Sequence, residues 1–216
     1  MQAATFSCLA CSNFTIKLKI SMSVQTKIAL VTGGSRGLGK DMATSIAKKG
    51  IDVMLTYKTL EAEAQQTVKE IEAIGQKAVA LKLDMSDFNS LDSFVTHVKE
   101  ILHANWNTNN FDFLVNNAGM GVTVPFEKVT EELFTDFLNV HFKGIFFLTQ
   151  KFVPYLNSGG RIINISSGTT RFANPGYAVY ASMKGAIETF TKYLAKELGT
   201  KGKQILIMQQ FATILK

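Results

Sequence analysis

The stretch Thr32-Gly33-Gly34-Ser35-Arg36-Gly37-Leu38-Gly39 decides how this chain is read, because it follows the apolar run Ile28, Ala29, Leu30, Val31 and opens a helical pattern. Gly33, Gly37 and Gly39 stand where the chain must turn tightly and where its backbone must come close to a phosphate. Only a hydrogen in place of a side chain permits both. Amides at the helix start, from Ser35 and Arg36 to Leu38, then face a pyrophosphate with the positive end of the helix dipole. Glycine-rich turns also occur for packing alone. The reading rests on the flanks, a strand before and a helix after, within a β-α-β unit.

The alternation continues on both sides of the loop. Apolar runs at residues 28–32, 51–57, 78–83, 111–115, 161–165 and 204–208 predict six strands. Helical patterns fill the gaps, from the glycines to near residue 50, then 60–75, 88–104, 131–156 and 177–198. In the second of these Val68, Ile71 and Ile74 recur at spacings of three, and Gly75 stands in the stop position. Parallel strands need crossovers, and right-handed crossovers on both faces give an α/β fold with a doubly wound parallel sheet. Ligands in such a sheet sit outside the carboxyl ends of the strands.

Composition narrows the classes. A chain of 216 residues with 46% hydrophobic residues buries one substantial core, so residues 25–216 read as a single domain. The formal charge of +6 comes from lysines scattered on helical patterns, with no basic stripe interleaved with aromatics, which argues against nucleic acid. Residues 133–153 are rich in phenylalanine, but Asp136, His141, Lys143 and Lys151 interrupt them, which argues against a membrane span. Phe134, Phe137, Leu138, Phe142, Ile145 and Phe146 offer more apolar surface than one helix face needs. A partner subunit packed on helices 131–156 and 177–198, in a homodimer or tetramer, would use that excess. Cys8 and Cys11 form a lone C-x-x-C with no second pair, so no metal is expected, and a body without cysteines suits the reducing cytoplasm. Residues 1–24 lack acidic residues and a clear period and read as a leader or extension, with Met22 an alternative start.

Candidate site residues fall at strand ends. An NAD site usually has an acid after strand two that would repel a 2′-phosphate. Here Thr56, Tyr57 and Lys58 stand there, with Arg36 in reach. Two cations without a carboxylate favour NADP(H), with NAD(H) as the alternative; Lys58 also reads as a solvated strand end. Asp84 is placed for the adenine amine and Met85 for its ring, Asp84 reading alternatively as a helix cap. Asn116, Asn117, Ala118 and Gly119 end strand four, where small residues let a ribose approach. Tyr180 and Lys184 share one helix face, and a nearby ammonium favours the phenolate. Ser167 after strand five can bond an oxygen on which charge develops. Asn139 is a polar residue in an apolar stretch and needs a partner.

These residues carry a resemblance to the short-chain dehydrogenase/reductase family of single-domain type. T-G-x-x-x-G-x-G matches Thr32 to Gly39, N-N-A-G matches Asn116 to Gly119, and Y-x-x-x-K matches Tyr180 to Lys184. The family's serine, 13 residues before the tyrosine, selects Ser167 over Ser166, and its asparagine is placed on Asn139. The resemblance implies a Rossmann-like three-layer αβα fold and an oxidoreductase that interconverts a small-molecule carbonyl and alcohol. It implies Tyr180 as general acid/base, Lys184 as its modulator and ribose ligand, Ser167 as carbonyl ligand and Asn139 as support of a water relay. After residue 203 the chain departs from the family pattern, without a Pro-Gly turn, lid or seventh strand. That departure sets a second expectation beside the first, a truncated homologue that binds a nucleotide or a subunit without turnover.

Overall fold

The computed structural model describes residues 26–210. Cys8, Cys11, the segment 1–24 and residues 211–216 lie outside the described residues. The expected alternation is realised as β1 (Ile28–Val31), α1 (Gly37–Ala47), β2 (Asp52–Tyr57), α2 (Glu61–Ala73), β3 (Ala78–Lys82), α3 (Leu91–Trp106) and β4 (Phe111–Asn116). It continues with α4 (Glu131–Leu138), α5 (Gly144–Phe152), β5 (Leu156–Ser167), α6 (Ala178–Gly199) and β6 (Gln204–Gln210). All six strands pair in parallel, in the order β3-β2-β1-β4-β5-β6. The strand order reverses direction between β1 and β4. A crevice forms there at the carboxyl ends.

Burial on both faces explains why these strands are almost continuously apolar. Ile28, Leu30, Met54, Leu114 and Ile162 point into the core under α3, α5 and α6. Val31, Val53, Leu55, Val115 and Ile165 point into the core under α1 and α2. The alternation along each strand therefore yields three layers. In the first core Phe152 meets Phe94 and Phe111 edge-on, with ring centroids 6.1 and 5.5 Å apart, a favoured aromatic geometry.

One element departs from the sequence expectation. The single helix expected over 131–156 is α4, a π-helical turn at Asn139–Lys143 and α5, after which Val153–Tyr155 tightens into a 3₁₀ turn. Pro154 lacks the amide that would continue the helix, so Leu156 starts β5 instead of ending the helix. Thr130 accepts from the Leu133 amide and caps α4 in the ordinary way. The π-turn has no such signal in composition. It runs directly into Gly144, which packs on β3's exit so closely that a Cβ there would collide with the Met85 carbonyl.

Candidate active site

The carboxyl ends of β1, β2, β4 and β5 open onto one cleft of about 770 Å³. At one end lies the glycine loop. Gly33 and Gly37 hold φ of +66° and +54°, in the left-handed region that side chains rarely adopt. A Cβ at Gly39 would lie 2.5 Å from Asn117 Nδ2 and would overlap the Gly33 carbonyl. Arg36 caps α1 without a side-chain bond, so the first amides of the helix stay available at the cleft, which Ser35, Arg36, Gly37, Leu38 and Gly39 line.

Two threonines and one asparagine hold this loop. Thr32 Oγ1 accepts from the Asn117 and Ala118 amides, both at 3.0 Å. Asn117 Nδ2 donates to the Thr32 and Gly33 carbonyls at 3.0 and 3.2 Å. Thr56 receives the Gly33 amide on its hydroxyl at 3.1 Å and the Gly34 amide on its carbonyl at 2.8 Å. The turn after β4 is thus tied to the loop after β1. Asn117, Ala118 and Gly119 line the cleft as the sequence suggested; Thr56 is a loop support that the sequence reading passed over, although a buried threonine at a strand end needs a partner.

The far wall under α1 is charged. Tyr57, Lys58, Asp84 and Met85 all line the cleft. Lys58 is committed to Asp84 in an ion pair of 2.8 Å, and Asp84 Oδ1 also accepts from the amide and hydroxyl of Ser86 at 2.9 and 2.7 Å. Partial burial works against ionisation of Asp84, but the bonds from Lys58 and Ser86 outweigh it and hold its carboxyl below the usual value. The capping alternative falls to Asp87, which accepts from the Asn89 amide. Arg36 is exposed beside this wall.

At the other end Ser167, Tyr180 and Lys184 meet on the cleft. Tyr180 and Lys184 lie one turn apart on α6, and Lys184 Nζ donates to the Ile165 carbonyl at 2.7 Å. Lys184 is 3% exposed, and burial pulls its ammonium down to about 8. The Tyr180 phenol differs from expectation: burial pushes it above its usual value, only partly offset by a hydrogen bond from Ser167, with Tyr177 adding a smaller rise. Lys184 Nζ lies 5.6 Å from the Tyr180 ring centroid and gives its hydrogen bond to Ile165. Ser167 Oγ accepts from the amide and hydroxyl of Thr169 at 3.3 and 3.1 Å, and its single proton is the one that reaches Tyr180. Ser166 is occupied elsewhere, donating to Glu188 at 2.6 Å.

Asn139 is not among the cleft-lining residues. From that segment Val140 and His141 line the cleft instead, and His141, two residues beyond Asn139, is 1% exposed. On a regular helix two residues point nearly opposite ways, and the π-turn then sets which one faces inward. The signal available in the sequence is an ionisable residue inside a phenylalanine-rich helix. Glu188 was also missed. It gathers Ser166, Thr170 and Gln209 and so ties the ends of β5 and β6 to α6.

Known proteins place this geometry. A hydroxynaphthalene reductase of Aspergillus fumigatus is 36% identical over 176 residues, covering 82% of this chain and 62% of the relative. A short-chain dehydrogenase/reductase of Pestalotiopsis microspora is 37% identical over 183 residues, 84% of this chain and 67% of the relative. The chain therefore spans about two thirds of the length of these curated relatives. Among solved structures, the promiscuous reductase LugOII, which catalyses keto-reduction at C1 in lugdunomycin biosynthesis, superposes with a TM-score of 0.84 at 35% identity, covering 89% of this chain and 85% of that one. The angucycline C-6 ketoreductase LanV with bound NADP superposes with a TM-score of 0.82 at 33% identity, covering 85% of this chain and 72% of that one. The family model for short chain dehydrogenase matches residues 27–211, from just before the first strand to the end of the last. A match of that extent, on a sheet and cleft of this form, makes the chain a member of the short chain dehydrogenase family.

Proposed function

We propose that this protein is an NADP(H)-dependent oxidoreductase that interconverts a carbonyl and an alcohol. The observation that carries the reading is the convergence of Ser167, Tyr180 and Lys184 on the same cleft whose other end is the glycine loop. The cleft fits a dinucleotide: uncapped amides of α1 face it, and Gly39 is packed so closely that a side chain would fill the cradle. Ser35 to Gly39 would hold the pyrophosphate, Tyr57, Asp84 and Met85 the adenosine, and Asn117 to Gly119 with Lys184 the nicotinamide half. Arg36, the exposed cation at the adenosine end, favours a 2′-phosphate, whereas the charge of Lys58 is already answered by Asp84. Bound NADP in LanV supports the same choice.

When bound, the cofactor supplies a hydride to the carbonyl carbon. Tyr180 holds the matching proton. Tyrosine is a phenol at neutral pH, the form that donates to a carbonyl oxygen during reduction, and burial shifts it further towards that form. Ser167 donates a hydrogen bond to that oxygen as charge develops on it. Lys184 keeps two of its three N–H donors for the cleft, since Ile165 takes one. Next to these groups, among the described residues, the cleft is lined by Met120, Val122, Phe172 and Tyr177 and by no carboxylate. Such a wall suits an uncharged, flat substrate, in keeping with the fused aromatic rings that a hydroxynaphthalene reductase and an angucycline ketoreductase are named for.

The test is NADPH and NADH oxidation over a panel of aromatic and aliphatic ketones and aldehydes, with fluorescence titration of both cofactors. Carbonyl-dependent NADPH oxidation, and NADPH bound about tenfold more tightly than NADH, is expected. Binding without turnover on any carbonyl would instead support a nucleotide-binding homologue.

A further inference from the structure

The π-turn at Asn139–Lys143 carries a buried imidazole with one satisfied and one unsatisfied nitrogen. His141 Nε2 lies 2.8 Å from the Met120 carbonyl and 3.2 Å from the Met120 amide. Nδ1 is buried and has no hydrogen-bond partner among the described residues. The ring stacks on Phe137 at 5.3 Å and 21°, and meets the Tyr180 ring edge-on at 5.2 Å and 89°. Gly119 leaves it room, since a Cβ there would come within 2.9 Å of His141 Cε1. Three elements therefore close on one ring: α4 through Phe137, the turn after β4 through Gly119 and Met120, and α6 through Tyr180.

The two Met120 contacts call for opposite tautomers: the carbonyl at 2.8 Å takes a proton from Nε2, whereas the amide at 3.2 Å gives one to it. The shorter contact favours Nε2–H, which makes Nδ1 a bare acceptor. Among the ionisable groups facing the ring, α6 supplies Tyr180 and Lys184, whereas Phe137, Gly119 and Met120 supply none. Burial first, and the Lys184 charge second, hold the imidazole at about 4. A proton on Nδ1 would add a second cation beside Lys184 with no carboxylate to answer it.

Resting on the oxidoreductase reading above, we propose that His141 is a positioning residue for Tyr180, acting as a neutral imidazole that pins the Met120 backbone with Nε2 and braces the phenol ring in an edge-to-face contact. A misplacement of the acid by a fraction of its reach is enough to matter, because displacements near 1 Å cost about a hundredfold in rate. The bond to Met120 and the contact with Tyr180 belong to one rigid ring, so loosening the first loosens the second.

Two variants test this. His141→Leu removes the donor and the ring, and His141→Gln keeps a neutral donor of similar reach. With the best ketone of the panel, His141→Leu should lose roughly 30-fold or more in kcat while NADPH affinity changes by less than about threefold, a loss confined to the chemical step. His141→Gln should recover part of kcat, because it keeps a donor for the Met120 carbonyl but not the ring against Tyr180. Imidazole ¹⁵N NMR, with His141 assigned by its absence in the Gln variant, should show the neutral Nε2–H tautomer at neutral pH. The titration midpoint of the Cζ resonance of ¹³C-labelled Tyr180, which loss of the imidazole ring current leaves unaffected, should shift in His141→Leu and shift less in His141→Gln. A charged or Nδ1–H imidazole, unchanged turnover in His141→Leu, or a Tyr180 titration midpoint indifferent to that substitution would overturn the proposal. If the parent protein reduces no carbonyl, the oxidoreductase reading fails by itself, and the two resonances still decide whether His141 positions Tyr180.

Discussion

Lys184 shows what the site costs the fold. Its folded value of about 8 lies below the ordinary 10.5, so between those values the unfolded chain binds the proton more tightly and stability rises with pH across that window. Below it the buried ammonium is a full penalty of about 3 kcal/mol, since a tenfold change in proton affinity corresponds to about 1.4 kcal/mol. Lys184→Met should therefore raise Tm at neutral pH by several degrees, less the cost of leaving the Ile165 carbonyl unbonded, while removing nearly all carbonyl reduction. Calorimetry at neutral pH and again above the folded value checks the sign, because the gain should shrink as the lysine loses its charge. Tyr180→Phe separates the other function of the pair. It deletes the proton and keeps the ring that His141 braces, so turnover should fall by about a thousandfold with NADPH binding nearly unchanged. Titration fluorescence alongside steady-state rates tells the two effects apart.

Among elements, the decisive one is the strand-loop-helix unit from Ile28 to Ala47. Its loop is held by Thr32, Thr56 and Asn117 from three separate strands, so it is rigid before any ligand arrives. Gly39→Ala would drive a methyl into the Gly33 carbonyl and Asn117 Nδ2. The expected result is loss of NADPH binding by tenfold or more, roughly what displacing one set of phosphate-facing amides costs. Retained affinity in the folded variant, measured by titration with circular dichroism as control, would show that the loop can yield. By contrast a Cβ at Gly37 meets nothing within 4 Å, so substitution there strains only the positive φ.

At the scale of the molecule, one face asks for a partner. Phe142, Phe146, Val153, Phe190, Tyr193 and Leu194 line an apolar groove of about 680 Å³ between α5 and α6, and Tyr193 is 66% exposed. No helix among the described residues is long and apolar enough to cross a membrane. A second copy of the chain is the proposed occupant of the groove, as the phenylalanine excess in residues 133–153 suggested. Phe146→Asp puts a charge on the groove where Phe146 stacks on Phe190 at 4.7 Å. The variant should sediment as a monomer where the parent protein sediments as a dimer or tetramer; monomeric parent protein would remove the proposal.

How much of this was legible beforehand follows from the range of each interaction. The strands were readable because two buried faces demand continuous apolar runs, and the glycine loop because its backbone tolerates no other residue at Gly33 or Gly39. Tyr180 and Lys184 were readable because four residues on a helix bring two side chains together whatever surrounds them. Tertiary structure alone decided the rest. Val140 and His141 of the π-turn line the cleft and Asn139 does not, because a one-residue change in helical register is set by packing and not by the periodicity of the side chains. Lys58 found Asp84 across two strand ends, 26 residues away in the chain. Burial reversed the expected direction for Tyr180, because spacing places a cation near a phenol but only the packed fold determines how much water the phenol keeps.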